Sequence, residues 1–143
     1  MSDPIAEPIA AVPYVIIDRD GDHHLVGSRC AKCGATLLGR RVACAACGAN
    51  DSVTQVRLSD KGRIRTCTVV HRSYPGVPVP FIAAVIDIDG GGVVRGTLRG
   101  PIPSDPVAEV GRPVRICVED TGQRDALGRA FYSQVFRPLE AAA

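Results

Sequence analysis

Two copies of Cys-x-x-Cys-Gly, Cys30-Ala-Lys-Cys33-Gly34 and Cys44-Ala-Ala-Cys47-Gly48, stand ten residues apart. A two-residue gap lets one tight turn present two thiolates, and four thiolates at about 2.3 Å complete a closed tetrahedral metal site. Glycine after the second Cys frees the backbone where amides fold back towards the sulfurs. The arm between the pairs is long enough for a short hairpin that returns the second knuckle to the first. The spacing therefore predicts a zinc ribbon with Cys30, Cys33, Cys44 and Cys47 as ligands. Iron in a rubredoxin-like site is the chemical alternative, because four thiolates accept either metal. With no open coordination position, the metal is expected to be structural. Two local disulfides fit less well, since bridges so short staple little chain. A redox Cys-x-x-Cys would stand once, after a strand and at a helix start.

The 143 residues suffice for a small metal module plus a barrel-sized domain. With 45% hydrophobic and 22% charged residues the composition is that of a globular protein. No apolar run is long enough for a transmembrane helix. The opening Met1-Ser-Asp-Pro-Ile-Ala-Glu-Pro8 is acidic and lacks a basic-then-apolar leader. With its reduced thiols, the chain is expected in the cytoplasm. The net charge of +2 is unevenly spread, for Arg29 to Arg72 holds nine Lys/Arg against Asp51 and Asp60. Such a block suits an anionic ligand or an acidic partner. Equally, some of it offsets the charge of about −2 left by four thiolates on a divalent metal.

Residues 1–13 read as a flexible arm with Pro4, Pro8 and Pro13. Residues 14–50 read as a hairpin plus the ribbon, with Asp18-Arg-Asp-Gly-Asp22 as the turn. His23 and His24 are expected as solvated hairpin residues and not as extra ligands. Leu37, Leu38 and Val42 are expected to pack on the next domain, because so small a module makes no core alone. Residues 51–138 read as short strands with Gly-rich turns, which predicts an all-β chain ending in a five-stranded OB-fold barrel. In Arg63–His71, alternation places Ile64, Thr66, Thr68 and Val70 on one face and Arg63, Arg65, Cys67, Val69 and His71 on the other. One short helical turn fits 104–110, and 139–143 read as a tail.

Intrinsic catalysis is not expected. Cys67 and His71 share a strand face but stand about 13 Å apart, so Cys67 and Cys117 read as small core residues. No Ser-His-Asp pattern, phosphate loop or paired-carboxylate site is present, and Asp87 and Asp89 flank a turn. A single-stranded nucleic-acid-binding OB-fold is the alternative function, with the basic block on phosphate. Three Phe, three Tyr and no Trp offer few stacking platforms for it. Electron transfer through an iron-filled ribbon is a third, weaker reading.

The four-Cys ribbon, the strand Thr68-Val-Val-His-Arg72, the loop Ser73-Tyr-Pro-Gly-Val-Pro-Val-Pro80 and the ending Phe136-Arg-Pro138 occur in one order. With Phe81-Ile-Ala-Ala-Val85, Gly96-Thr-Leu98 and Gly111-Arg-Pro-Val114 they resemble the rubredoxin-like zinc-ribbon/OB-fold proteins of acyl-CoA metabolism, over roughly residues 25–138. The resemblance implies a small non-catalytic partner of a thiolase-fold enzyme: a thiolase, acyltransferase, HMG-CoA-synthase-related enzyme or side-chain aldolase. It implies that the barrel helps hold CoA or completes the acyl-CoA tunnel while the ribbon docks on the enzyme. Arg suits CoA phosphates through its planar fork, which singles out Arg40, Arg41, Arg63, Arg65 and Arg72. Any one such Arg is more often a solvated surface charge. Tyr74, Pro75 and Gly76 lie in a semi-rigid loop suited to gating a ligand or entering a partner, or serving as a plain crossover. Many relatives begin with a helix rich in Trp, Glu and Arg, where this chain places a hairpin.

Overall fold

The computed structural model describes residues 7–139, so the ends of the expected arm (1–6) and tail (140–143) lie outside the described residues. Within 7–139 all regular structure is β except one 3-10 turn, Pro106–Glu109, which falls in the expected place. Asp105 caps that turn, its carboxylate accepting from the Val107 amide.

The arm is not free along its described length. Ile9–Ala10 (β1) lies parallel to the C-terminal strand, with Ile9 beside Phe131 and Ala10 beside Tyr132. Val15–Ile16 (β2) then turns through Asp18–Asp22 into His24–Cys30 (β3), which is the expected hairpin. Thr36–Leu38 (β4) pairs with β3 on the same side as β2. Val53–Arg57 (β5) covers the opposite edge of β3, from Val26 with Arg57 to Cys30 with Val53. The stretch that sequence texture assigns to the barrel is therefore the fourth strand of the ribbon sheet. Its exposed Thr54, Gln55 and Arg57 leave half of it solvated, as an edge strand of a small sheet must be.

Five strands close the barrel: Lys61–Val70 (β6), Phe81–Ile88 (β7), Val93–Leu98 (β8), Pro113–Arg124 (β9) and Ala130–Pro138 (β10). The order is β6-β7-β8-β10-β9, with β9 returning to β6. β10 runs parallel to β8 and antiparallel to β9, so it seals the cylinder. The alternation expected for β6 holds only as far as Ile64. Ile64 pairs with Ile86 but Thr66 pairs with Val85, so Arg65 is an extra residue and the faces exchange. Beyond it Thr66 and Thr68 are exposed, whereas Cys67 packs against the core.

One core spans both modules. Ile64, Ile86, Val94, Val114 and Phe136 fill the barrel, and Val15, Leu25 and Leu58 extend the same cluster towards the ribbon. Leu38 packs on this core as expected. Leu37 instead packs beside the knuckle cysteines. Val42 is 90% exposed and covers nothing. His23 is half-buried, not simply solvated: its ring meets Tyr132 edge-on at 5.7 Å, and its Nδ1 accepts from the Asp18 amide. Cys117 does not join the core, because Val114, Ile116 and Val118 take the inward positions of β9.

Candidate functional site

The two knuckles are near copies of each other. The Gly34 amide donates to the Cys30 carbonyl at 2.8 Å and the Gly48 amide to the Cys44 carbonyl at 2.9 Å. The amides of Cys30 and Cys44 donate to the carbonyls of Ala35 and Ala49. Gly34 and Gly48 adopt φ of 77° and 79°, a turn that any side chain would strain. The sulfurs of Cys30, Cys33, Cys44 and Cys47 all lie within 4.8 Å of one another. Cys30 and Cys47 Sγ are 3.7 Å apart, and Cys33 and Cys44 Sγ 3.6 Å. No disulfide joins them. A tetrahedron with metal–sulfur bonds of about 2.3 Å has edges of roughly 3.8 Å, so the donor set fits a tetrahedral thiolate site.

The environment differs between the sulfurs. Cys30 and Cys44 are buried, while Cys33 and Cys47 face solvent. Without metal, the backbone amides of Cys47 and Ala46 hold the Cys44 thiol down to about 7. The Ala35 amide favours the Cys33 thiolate, yet Cys44, desolvation and the other two sulfurs outweigh it and push the thiol up to about 11. A bound cation displaces all four thiol protons, so occupancy is acid-sensitive.

Ser28 holds the arm between the knuckles, a role that sequence reasoning missed. It is 1% exposed, donates from Oγ to the Gly39 carbonyl at 2.7 Å, and accepts from the Arg41 amide at 2.9 Å. The only signal was a hydroxyl inside the otherwise apolar run Leu25-Val-Gly-Ser28. Ser28→Ala leaves both backbone groups without a partner and is expected to cost about 1–3 kcal/mol. Denaturant unfolding of the metal-loaded chain measures it.

The other candidate residues fall in three places, and no hydrogen bond joins the groups among the described residues. Arg40 and Arg41 are on the ribbon arm, donating to Gln55 Oε1 and the Leu38 carbonyl. Arg63 and Arg65 are on β6, where Arg63 donates to the Gly111 carbonyl and Arg65 pairs with Asp87 at 2.8 Å. Arg72, Tyr74, Pro75 and Gly76 stand in the loop from β6 to β7, in which every residue from His71 to Pro80 is exposed. Tyr74 is 84% exposed.

From the foot of that loop a groove of about 510 Å³ runs along the outside of β6, β7 and β8. Its floor is built of cross-strand rows, Thr68–Ala83–Thr97 and Thr66–Val85–Arg95. Val12, Tyr14 and Phe81 also line it. Gln134 fixes the Tyr14 side, donating to Tyr14 Oη at 2.9 Å and to the Arg95 carbonyl at 2.8 Å. Sequence reading missed this groove, since its lining comes from five separate segments.

Residues 19–52 match the family described as the ChsH2 rubredoxin-like zinc ribbon domain, and residues 55–119 match the ChsH2 C-terminal OB-fold domain. The first match spans both knuckles, and the second follows it in the chain, beginning within β5 and ending within β9. The chain belongs to the ChsH2/DUF35 zinc-ribbon and OB-fold family. Two curated members of similar sequence are both described as DUF35 domain-containing scaffold proteins. The protein from Methanocaldococcus jannaschii is 26% identical over 118 residues, covering 81% of this chain and 82% of that protein. The one from Methanothermobacter thermautotrophicus is 24% identical over 119 residues, covering 81% and 87%. Among solved structures, a chain of the Ltp2–ChsH2(DUF35) aldolase is 26% identical with a TM-score of 0.62, covering 80% of this chain and 84% of that one. A DUF35-family protein of unknown function from Sulfolobus solfataricus shares the fold at a TM-score of 0.53 and 18% identity, covering 80% and 75%. The ChsH2/DUF35 chain thus has a four-Cys zinc-ribbon site joined to a closed five-stranded barrel. No helix among its described residues is long and apolar enough to cross a membrane.

Proposed function

We propose that this chain is a non-catalytic subunit of a thiolase-type acyl-CoA complex (a thiolase, acyltransferase or aldolase) and helps bind CoA or complete the acyl-CoA site. The observation that carries the reading is the likeness to a chain of the Ltp2–ChsH2(DUF35) aldolase over four fifths of both chains. The scaffold descriptions of the curated relatives support a role without chemistry of its own. The metal is zinc bound by Cys30, Cys33, Cys44 and Cys47, and its four thiolates leave no position for substrate. Its work is to hold the ribbon in shape, while Arg40 and Arg41 on the ribbon and Arg63, Arg65 and Arg72 on the barrel side meet the CoA phosphates or an acidic partner face. The loop bearing Tyr74, Pro75 and Gly76 enters the enzyme, burying a ring now left in solvent. Complex and chain work in the cytoplasm.

A tagged chain purified under native conditions from its source, with mass spectrometry of what accompanies it, tests this. Recovery of a thiolase-fold enzyme is the expected result. Recovery of nucleic acid or a ribonucleoprotein, with no such enzyme, would overturn it. The nucleic-acid reading has less support in the barrel, whose outer groove offers only the rings of Phe81 and Tyr14 among small apolar residues. Elemental analysis should find one zinc per chain and no visible colour.

A further inference from the structure

The groove on the outside of β6, β7 and β8 is not used by the metal site or by any of the arginines considered above. Its place matters physically, because the second and third strands of an OB barrel and the loops beside them form the face on which that fold takes ligands. Here those strands are β7 and β8, and the exposed loop 71–80 opens at one end, where Phe81 begins β7. The volume of about 510 Å³ is that of a small-molecule site, not of a docking surface for a protein.

The lining sets the ligand chemistry. Ala83, Ala84, Val85 and Gly96 give a floor without bulky side chains, and Val12, Tyr14 and Phe81 add apolar surface. Thr66, Thr68 and Thr97 contribute methyl groups with small polar contacts. Arg95 is the one charged residue lining the groove. It has no carboxylate partner among the described residues, whereas Arg57, Arg65, Arg99, Arg112, Arg124, Arg129 and Arg137 each have one. No acidic residue lines the groove to repel an anion.

We infer that this groove binds a slender apolar chain ending in a single anionic group, the chain lying over Ala83 and Val85 and the anion meeting Arg95. A neutral or cationic head group loses that contact. The inference concerns the isolated chain and does not rest on which enzyme, if any, is its partner.

Fluorescence titration of the metal-loaded, full-length chain with dansyl-aminoundecanoate tests it. Saturable binding with a blue shift is expected, reversed by decanoate but not by decylamine. Arg95→Gln should weaken binding about two- to fivefold, as for an exposed ionic contact. Ala83→Trp fills the floor and should weaken it by about tenfold or more. Amide NMR shifts on the unmodified chain should centre on Thr66, Ala83 and Thr97, which decides the matter even where the Trp variant fails to fold. No saturable binding, equal competition by decylamine, or shifts centred on another surface would each overturn the assignment.

Discussion

Cys44→Ser is expected to release the metal and disorder the knuckles, the largest single effect foreseen for this chain. Structural zinc in small modules contributes on the order of 10–16 kcal/mol of apparent binding free energy at neutral pH, and that energy is also folding energy. The ribbon has little else to replace it: around the sulfurs only Ala35, Leu37, Ala49 and Val53 pack together with the buried Cys30 and Cys44. The neighbouring amides of Cys47 and Ala46 also hold the Cys44 thiol down, so Ser removes a ligand already prepared for ionisation. Elemental analysis should show loss of the metal, and hydrogen exchange should show lost protection across residues 30–53 with β7 and β8 still protected. Retained metal with native protection in the knuckles would mean that three thiolates suffice. Acid should mimic the variant, because protons compete with the metal for all four sulfurs as the pH falls.

Phe136→Ala should cost about 3–5 kcal/mol, the range for removing a fully buried aromatic ring. Phe136 is completely buried, and Gly96 on β8 leaves the room its ring occupies: a Cβ there would come within 3.1 Å of it. The surrounding strands are fixed in a closed cylinder and have little freedom to collapse into the cavity. Denaturant unfolding should show a lower midpoint at unchanged slope, while the metal content stays at that of the parent chain. A cost below about 1 kcal/mol would indicate that the barrel repacks.

These two sites differ in how far the sequence disclosed them. The cysteine spacing stated ligands, turn type and metal class together, since the geometry of two knuckles is local. Barrel strands could be read for the same reason, from near-continuous apolar runs such as Phe81–Ile88. What escaped was set by pairing between distant segments. The extra residue at Arg65 reverses the faces of β6, and nothing local marks it, so Thr66 and Thr68 read as sharing the face of Ile64 when they line an outer groove. Cys117 looked like core because its neighbours are apolar, yet the phase of β9 turns it the other way. Val53–Arg57 has the composition of a barrel strand, and only its register against β3 assigns it to the ribbon. Ser28 carried only the signal of a hydroxyl in an apolar run, and its partners, Gly39 and Arg41, lie on the far arm of the ribbon.

The place of β5 has a mechanical consequence. Arg57 ends the last ribbon strand and Lys61 begins the first barrel strand, so three residues join the modules, and Leu58 among them is buried in the common core. A hinge needs slack, and this joint has none. Force applied to the knuckles by anything that grips them is delivered along β5 into β6, and β6 ends at the base of the loop carrying Tyr74. The two ends of the molecule therefore behave as the arms of one stiff bracket. A chimera that exchanges ribbons between relatives must cut beyond residue 58, because a cut at residue 50 leaves the incoming module without β5.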